Sequence, residues 1–311
     1  MINQFNSFQK KIVKNAVYYG KEMAVLYRSL LYPIWRPKLS NPIFIVGCSR
    51  AGTTAAYLAL SQSADLRSLF RESHETWERL HPASENGWNS HQLTAKEATD
   101  ADKYAVTRFF YTQLGRKRFV DKANQNCFRI PYLKTLFRDA SFLFVKRNGP
   151  DNVNSLIHGW ARPGEYGKWA LDLPEKVAVD GGNYTTWCFF LFEGWRNYLR
   201  DSIENVCAQQ WIAANTAVLR AKSLVPAPKW VEVSYEDILL RPVETFWDVF
   251  SKLSIPFTPV IEKYCSSLVQ NPTNAFSKPR LNKWKEENPE QISNILPLLD
   301  DTMGKLGYKG Y

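Results

Sequence analysis

From Asn41 onward the chain alternates short apolar runs with longer stretches whose apolar positions recur at helical spacing. PIFIV (42–46), LRSL (66–69), RFVD (118–121), SFLFV (141–145) and WVEVS (230–234) read as strands. Residues 53–62, 130–137, 151–158 and 184–222 read as helices. Runs that stay apolar without a polar alternation suit strands covered on both faces. The pattern therefore predicts an α/β fold, with a mostly parallel sheet of about five strands flanked by helices, occupying 41–311 as one domain. Residues 1–40 read as a helical extension, with Phe5, Phe8, Ile12 and Val13 at roughly helical spacing and Lys10, Lys11, Lys14 and Lys21 beside them. Packing on the main domain is the plain outcome for such a helix; a weak membrane-surface contact is the other. The stretch Thr185–Arg220 carries Trp187, Phe190, Leu191, Trp195, Tyr198 and Leu199, expected as core. The last third reads helical, punctuated at Pro242, Pro256, Pro259, Pro272, Pro279 and Pro289, and neither a repeat nor a low-complexity tract stands out.

Composition narrows the partners. The 311 residues hold 40 Lys and Arg against 30 Asp and Glu, a net charge of +10, with 45% hydrophobic residues, so a packed protein with an anionic partner is expected and a disordered chain is not. The greasiest N-terminal stretch, Met23 to Trp35, is interrupted by Arg28 and Pro33, and the first residues lack the apolar centre of a secretory signal. Five cysteines, odd in number and widely spaced, read as reduced thiols in a cytoplasmic protein, possible membrane periphery apart. Four histidines show no zinc-binding spacing with Cys or Glu, so no metal is expected.

The strongest local signal is P-I-F-I-V-G-C-S-R-A-G-T-T, residues 42–54: a buried strand, a turn, and a helix beginning near Thr53. Amides at such a helix start cradle an anion, and Gly47 and Gly52 let the backbone approach it. The spacing from Gly47 to Gly52 mimics the phosphate loop of nucleotide hydrolases, yet Thr53 stands where that loop needs its lysine. Arg50 is the fixed cation instead, so the loop suits a terminal anionic group without a γ-phosphate. A second anchor is S-F-L-F-V-K-R-N-G-P-D-N-V-N-S-L-I (141–157), where Arg147 ends an apolar strand and Ser155 lies eight residues on, able to converge on one phosphate.

The first motif resembles the 5′-phosphosulfate loop of the sulfotransferases that use 3′-phosphoadenosine 5′-phosphosulfate, near their tyrosylprotein and bacterial branch; Ala51 replaces the usual Ser. The second resembles that family's 3′-phosphate motif, with Pro150 in place of a frequent Arg. R-F-V-D-K-A-N-Q-N (118–126) resembles the strand end that sets a lysine, here Lys122, toward the transferring sulfuryl group. V-E-V-S-Y-E-D-I-L-L-R-P (231–242) resembles the segment bringing Tyr235 to the nucleotide, with Glu236 and Asp237 at the turn. L-N-K-W-K (281–285) resembles a late basic segment closing over the donor, which points to Lys283 and Trp284. The likeness spans about 41–310. It implies a P-loop-like sulfotransferase fold and a donor site of Arg50, Ala51, Gly52, Thr53, Thr54, Arg147, Ser155, Tyr235, Lys283 and Trp284.

It also implies transfer of a sulfuryl group to an acceptor hydroxyl. A carbohydrate, glycolipid or other small acceptor is expected rather than a protein, since the chain shows no secretory signal, and nucleic acid is not expected as a partner, since the sequence has neither a contiguous Lys/Arg block nor a nucleic-acid motif. Arg50 and Lys122, with the loop amides, would neutralise the leaving phosphate without a metal. For the base, F-R-E-S-H-E-T-W-E-R-L-H-P (70–82) offers Glu72, His74 and Glu75. The resemblance favours Glu72 and keeps His74 as its rival, and a glutamate base is expected to need a raised pKa. Residues 158–169, with Trp160, Tyr166 and Trp169 among glycines, read as a cover whose rings stack on the acceptor or pack inward. A P-loop nucleotide or nucleoside kinase and a non-catalytic anion-binding protein are the competing readings.

Overall fold

A computed structural model describes residues 7–308 except Asn274, with side chains from Tyr18 onward. The predicted strands at 42–46, 118–121, 141–145 and 230–234 form β1 (Ile43–Val46), β2 (Val120–Lys122), β3 (Ser141–Lys146) and β4 (Trp230–Ser234). They make one parallel sheet in the order β2-β1-β3-β4, with Phe44 beside Asp121 and Phe142, and Val145 beside Val233. The sheet thus has four strands rather than about five. The run at 66–69 adds only a parallel bridge from Arg67 to Phe119, because Phe70 takes φ 55° and turns the chain away.

The helices are α1 (Ser7–Trp35), α2 (Thr53–Leu60), α3 (His74–Leu80), α4 (Asp100–Leu114), α5 (Ile130–Leu136), α6 (Gly149–Trp160), α7 (Pro163–Tyr166), α8 (Ile203–Lys222), α9 (Tyr235–Leu240), α10 (Pro242–Lys252), α11 (Pro259–Ser267), α12 (Trp284–Glu287) and α13 (Pro289–Lys305). Because side chains alternate along a strand, the sheet feeds two cores. Phe44, Val46, Phe142 and Phe144 pack with Trp77, Phe110 and Trp211 on one face. Ile43, Ile45, Leu143 and Val145 pack with Ala56, Leu60, Phe246 and Phe250 on the other. Burial on both sides accounts for the uniformly apolar runs.

The long helix read at 184–222 starts only at Ile203, where Ser202 caps it. Upstream, Phe189 at φ 71° and Gly194 at φ 82° break the backbone, while Trp187, Phe190, Leu191 and Trp195 are buried as core. In the last third, Pro242, Pro259 and Pro289 each open a helix, where the missing N–H is harmless; the described residues of 269–281, between α11 and α12, are not helical.

Helix α1 lies in the stretch read as an N-terminal extension; Phe5 and the side chains of Phe8, Lys10, Lys11, Ile12, Val13 and Lys14 lie outside the described residues. Tyr32 is buried against Tyr104 and Tyr111 of α4, and Arg28 donates to the carbonyl of Thr112 at 3.2 Å. On its other side Tyr19, Met23, Tyr27, Leu30 and Ile34 are exposed. Among the described residues no helix is long and apolar enough to cross a membrane.

Candidate active site

All four strands deliver their C-terminal ends to one edge, where a doubly wound sheet opens its crevice. The turn after β1 is built for close approach. A Cβ on Gly47 (φ 153°) would lie 2.3 Å from the Val145 carbonyl oxygen, and one on Gly52 (φ 97°) 2.6 Å from Cδ2 of Tyr235. The amide of Ala51 is spent on the Cys48 carbonyl at 3.1 Å, whereas those of Gly52, Thr53 and Thr54 donate to nothing among the described residues. They form the positive start of α2, the shape of an anion cradle. From α6, Asn152 fixes this loop by donating to the Ser49 carbonyl at 2.9 Å.

The second anchor folds against the first. Arg147, 6% exposed, donates to the Arg50 carbonyl at 2.9 Å and lies over the Tyr235 ring at 4.2 Å. No carboxylate among the described residues pairs with it, and its Nε is buried without a partner. Arg50 donates from Nε to Ser155 Oγ at 3.3 Å and from a terminal nitrogen to the Tyr166 hydroxyl at 3.0 Å. Burial, with repulsion from Arg147 and Arg162, lowers its pKa although Tyr166 opposes the shift. The start of α6 is held by Asn148, which caps Asp151 and donates to Glu236, itself bonded by Tyr308. Glu236 and Asp237 thus serve the turn: Asp237 closes a cap with Ser234.

Deeper in the cleft, buried Lys122 at the end of β2 pairs with Glu72 and approaches Thr54 Oγ1 at 3.3 Å. His74 lies 3.6 Å from the other Glu72 oxygen. Burial alone would raise the Glu72 carboxyl, but the Lys122 ammonium and bonds from His74 and Lys122 outweigh it and hold the pKa at about 2. The expected upward shift is therefore reversed, because a cation rather than a second carboxylate is its neighbour. Glu75, largely exposed, stands 3.8 Å from Arg71 at the cavity's rim.

One cavity of about 560 Å³ joins these groups; it is lined by Arg50, Gly52, Thr53, Thr54, Glu72, His74, Lys122, Arg147, Ser155, Tyr235 and Lys283. Two predicted residues do not open onto it. Ala51 is 1% exposed in the core, and Trp284 is buried against α6 and α13, away from the cleft. Its neighbour Lys283 reaches Ser277 and Glu287 instead. The rings of 158–169 divide: Trp160 packs inward on Trp187, Tyr166 holds Arg50, and Trp169 lines the cavity.

Sequence reasoning did not single out Glu78, Asn124, Gln125 or Phe276, all on the cavity wall. Glu78 sits one turn after His74, which the helical spacing signals. Asn124 and Gln125 follow Lys122 within a quoted motif. Phe276 lies in the proline-rich segment read as helical; its ring is packed between the guanidinium groups of Arg50 and Arg162, each 4.1 Å from its centre.

Comparison with known proteins agrees with this geometry. Residues 42–169 match the model of the "Sulfotransferase family". Carbohydrate sulfotransferase 3 of Mus musculus is 23% identical over 151 residues, which is 44% of this chain and 31% of that relative, so the match spans about a third of its length. The fold is shared with the crystal structure of sulfotransferase STF9 from Mycobacterium avium, with TM-score 0.58 and 14% identity over 99% of this chain and 89% of that one. It is shared too with a sulfotransferase from Alicyclobacillus acidocaldarius, with TM-score 0.51 and 16% identity over 88% and 98% of the two chains.

Proposed function

We propose, from the match of residues 42–169 to the sulfotransferase family, that this chain moves the sulfuryl group of 3′-phosphoadenosine 5′-phosphosulfate onto a hydroxyl. The acceptor is a carbohydrate, glycolipid or other small hydroxyl compound. The observation that carries this reading is Arg147: a buried guanidinium with no carboxylate partner among the described residues, bonded to the very loop whose amides stand open. A cation kept dry and uncompensated is costly unless an anion completes it. Two such anion seats, one at Gly52–Thr54 and one at Arg147–Ser155, fit a nucleotide phosphorylated on both sides of its ribose.

In this reading the amides of Gly52–Thr54, with Arg50 and Lys122, take the charge that builds on the departing 5′-phosphate, and Arg147 and Ser155 hold the 3′-phosphate. Tyr235 and Lys283 flank the nucleotide. Glu72 removes the proton from the attacking hydroxyl. Clamped by Lys122, it is too acidic to be a good base. The donor's anion competes for the same ammonium, and relaxing the clamp lifts the carboxyl toward the range where it accepts a proton. Lys122 thereby couples arrival of the donor to readiness of the base.

The same proposal takes in the setting of the enzyme. The exposed apolar side of α1, with Lys21 beside it, supports a weak contact with an anionic membrane surface. Five cysteines, all buried and none in a disulfide, support a reducing cytoplasm.

The test is a calorimetric titration with adenosine 3′,5′-bisphosphate, then transfer of labelled sulfate from the donor to a panel of sugars, lipids and phenols. Glu72→Ala is expected to abolish turnover while adenosine 3′,5′-bisphosphate still binds, and more tightly than to the parent, because the carboxylate that competes for the Lys122 ammonium is gone. Silence toward the bisphosphate refutes the function; full turnover in Glu72→Ala with none in His74→Ala moves the base to His74.

A further inference from the structure

Away from the anion seats, the cavity has a wall that the transfer chemistry leaves unused. Glu78 lies on α3 four residues after His74, so it faces the same cavity about 6 Å further along. Two buried groups hold one of its oxygens. Arg129, 1% exposed, donates to Oε1, and His91 Nε2 lies 3.6 Å from the same atom. Oε2 has no partner among the described residues. His91 is itself fixed, because its Nδ1 accepts from the Leu191 amide at 2.8 Å, which leaves the ring hydrogen on Nε2 facing Glu78. Burial holds that imidazole down to about 4, so it is neutral near pH 7.

Two further residues complete the wall. Gln125, 3% exposed, lines the cavity with its Oε1 buried and unpartnered, an arrangement that wants a donor from a ligand. Trp169 also lines the cavity; its indole N–H is spent on the Tyr166 carbonyl at 3.1 Å, and its ring meets His91 edge-on at 4.9 Å between centres. What it offers a ligand is ring surface.

We infer that Glu78, Gln125 and Trp169 form the acceptor-reading subsite, and that its ligand is an uncharged, hydroxyl-rich ring, a sugar or cyclic polyol. Two acceptors for hydroxyl hydrogens beside an aromatic face match such a ring, whose hydroxyls donate and whose C–H face packs on indole. The carboxylate is already neutralised by Arg129, so the wall does not call for a cation. One helical turn between Glu78 and His74 is about the width of one ring, which sets the ring's far hydroxyls on Glu78 while a near one reaches Glu72. This inference rests on the sulfuryl-transfer reading of the site.

The experiment measures binding by saturation-transfer NMR and calorimetry to protein saturated with adenosine 3′,5′-bisphosphate. The probes are methyl β-galactoside, methyl β-glucoside, myo-inositol, glucosamine, phenol and octanol. At least one of the first three is expected to bind, and Glu78→Gln and Trp169→Ala each to weaken it about tenfold, the scale of one hydrogen bond to a charged group or one stacked ring. Bisphosphate affinity should hold within about twofold in every variant. Glu78→Gln strips buried Arg129 of its counter-charge, so Gln125→Leu, which breaks no bond within the described residues, keeps the test independent of folding; it should weaken the sugar as well. Binding confined to phenol, octanol or glucosamine, no binding of any probe, or sugar affinity untouched by all three variants overturns the subsite. Failure of the bisphosphate to bind overturns the underlying reading instead.

Discussion

Replacing Arg147 by Met removes a charge from the cleft while keeping most of the side-chain volume. This guanidinium donates to the Arg50 carbonyl at 2.9 Å, lies 4.2 Å over Tyr235, and has a buried Nε without a partner among the described residues. If it grips a 3′-phosphate, its loss costs a charge-assisted hydrogen bond, about 1.5–3 kcal/mol. With about 1.4 kcal/mol per tenfold, adenosine 3′,5′-bisphosphate should bind roughly 10- to 140-fold more weakly. Adenosine 5′-monophosphate, which lacks the 3′-phosphate, should lose little. Calorimetry of parent and variant with each ligand at one ionic strength reads the difference directly, since the salt is then the same on both sides of each comparison. An equal loss for the two ligands would mean that Arg147 merely props the loop through the Arg50 carbonyl. Unchanged affinity for the bisphosphate would refute the second anion seat altogether.

Gly52→Ala should cost about 1–3 kcal/mol of stability in urea titration and weaken the bisphosphate, because the new methyl strikes the Tyr235 ring at a φ of 97°; a neutral result would mean that the loop is more pliant than its geometry implies. The buried His91 has its pKa lowered from 6.5 to about 4, so unfolding takes up a proton between those values. Its contribution, on the order of 3 kcal/mol, is complete above about pH 6.5 and is lost as pH falls toward 4; His91→Asn should flatten that limb of the denaturation profile. Vesicles rich in phosphatidylserine should retain the protein where phosphatidylcholine vesicles do not, and Leu30→Glu with Ile34→Glu should release it; equal sedimentation of variant and parent would exclude α1 as the contact.

The parts of the molecule readable from sequence were those where one local rule decides. Strand β1 and its turn were legible because a doubly buried strand must be wholly apolar and a close-approach turn must carry glycine, as Gly47 and Gly52 do. Arg147 and Ser155 were legible for the same reason: one strand end and one helix turn set their separation. What stayed hidden depends on contacts between distant segments. LRSL looked like a strand, but pairing needs a partner of matching length, and only Arg67 found one. The aromatic stripe before Ile203 had the spacing of a helix, yet those rings are held by a folded loop in the same core. Trp284 was carried toward the donor by its basic neighbours, although a large ring gains more by burial than by lining a wet cleft. The acidity of Glu72 was unreadable too, since the lysine that sets it lies fifty residues along the chain.

The aromatic ring wedged between Arg50 and Arg162 has a kinetic meaning. An arginine that already rests on Phe276 and bonds Ser155 and Tyr166 acquires an anion by exchange rather than by addition. Each surrendered ring contact counts about 0.5–2 kcal/mol against holding an anion, so in the proposed reaction the net grip on a spent nucleotide is looser than its charge would suggest. In the proposed sulfuryl transfer, a cation with a ready substitute for the product lets that product go.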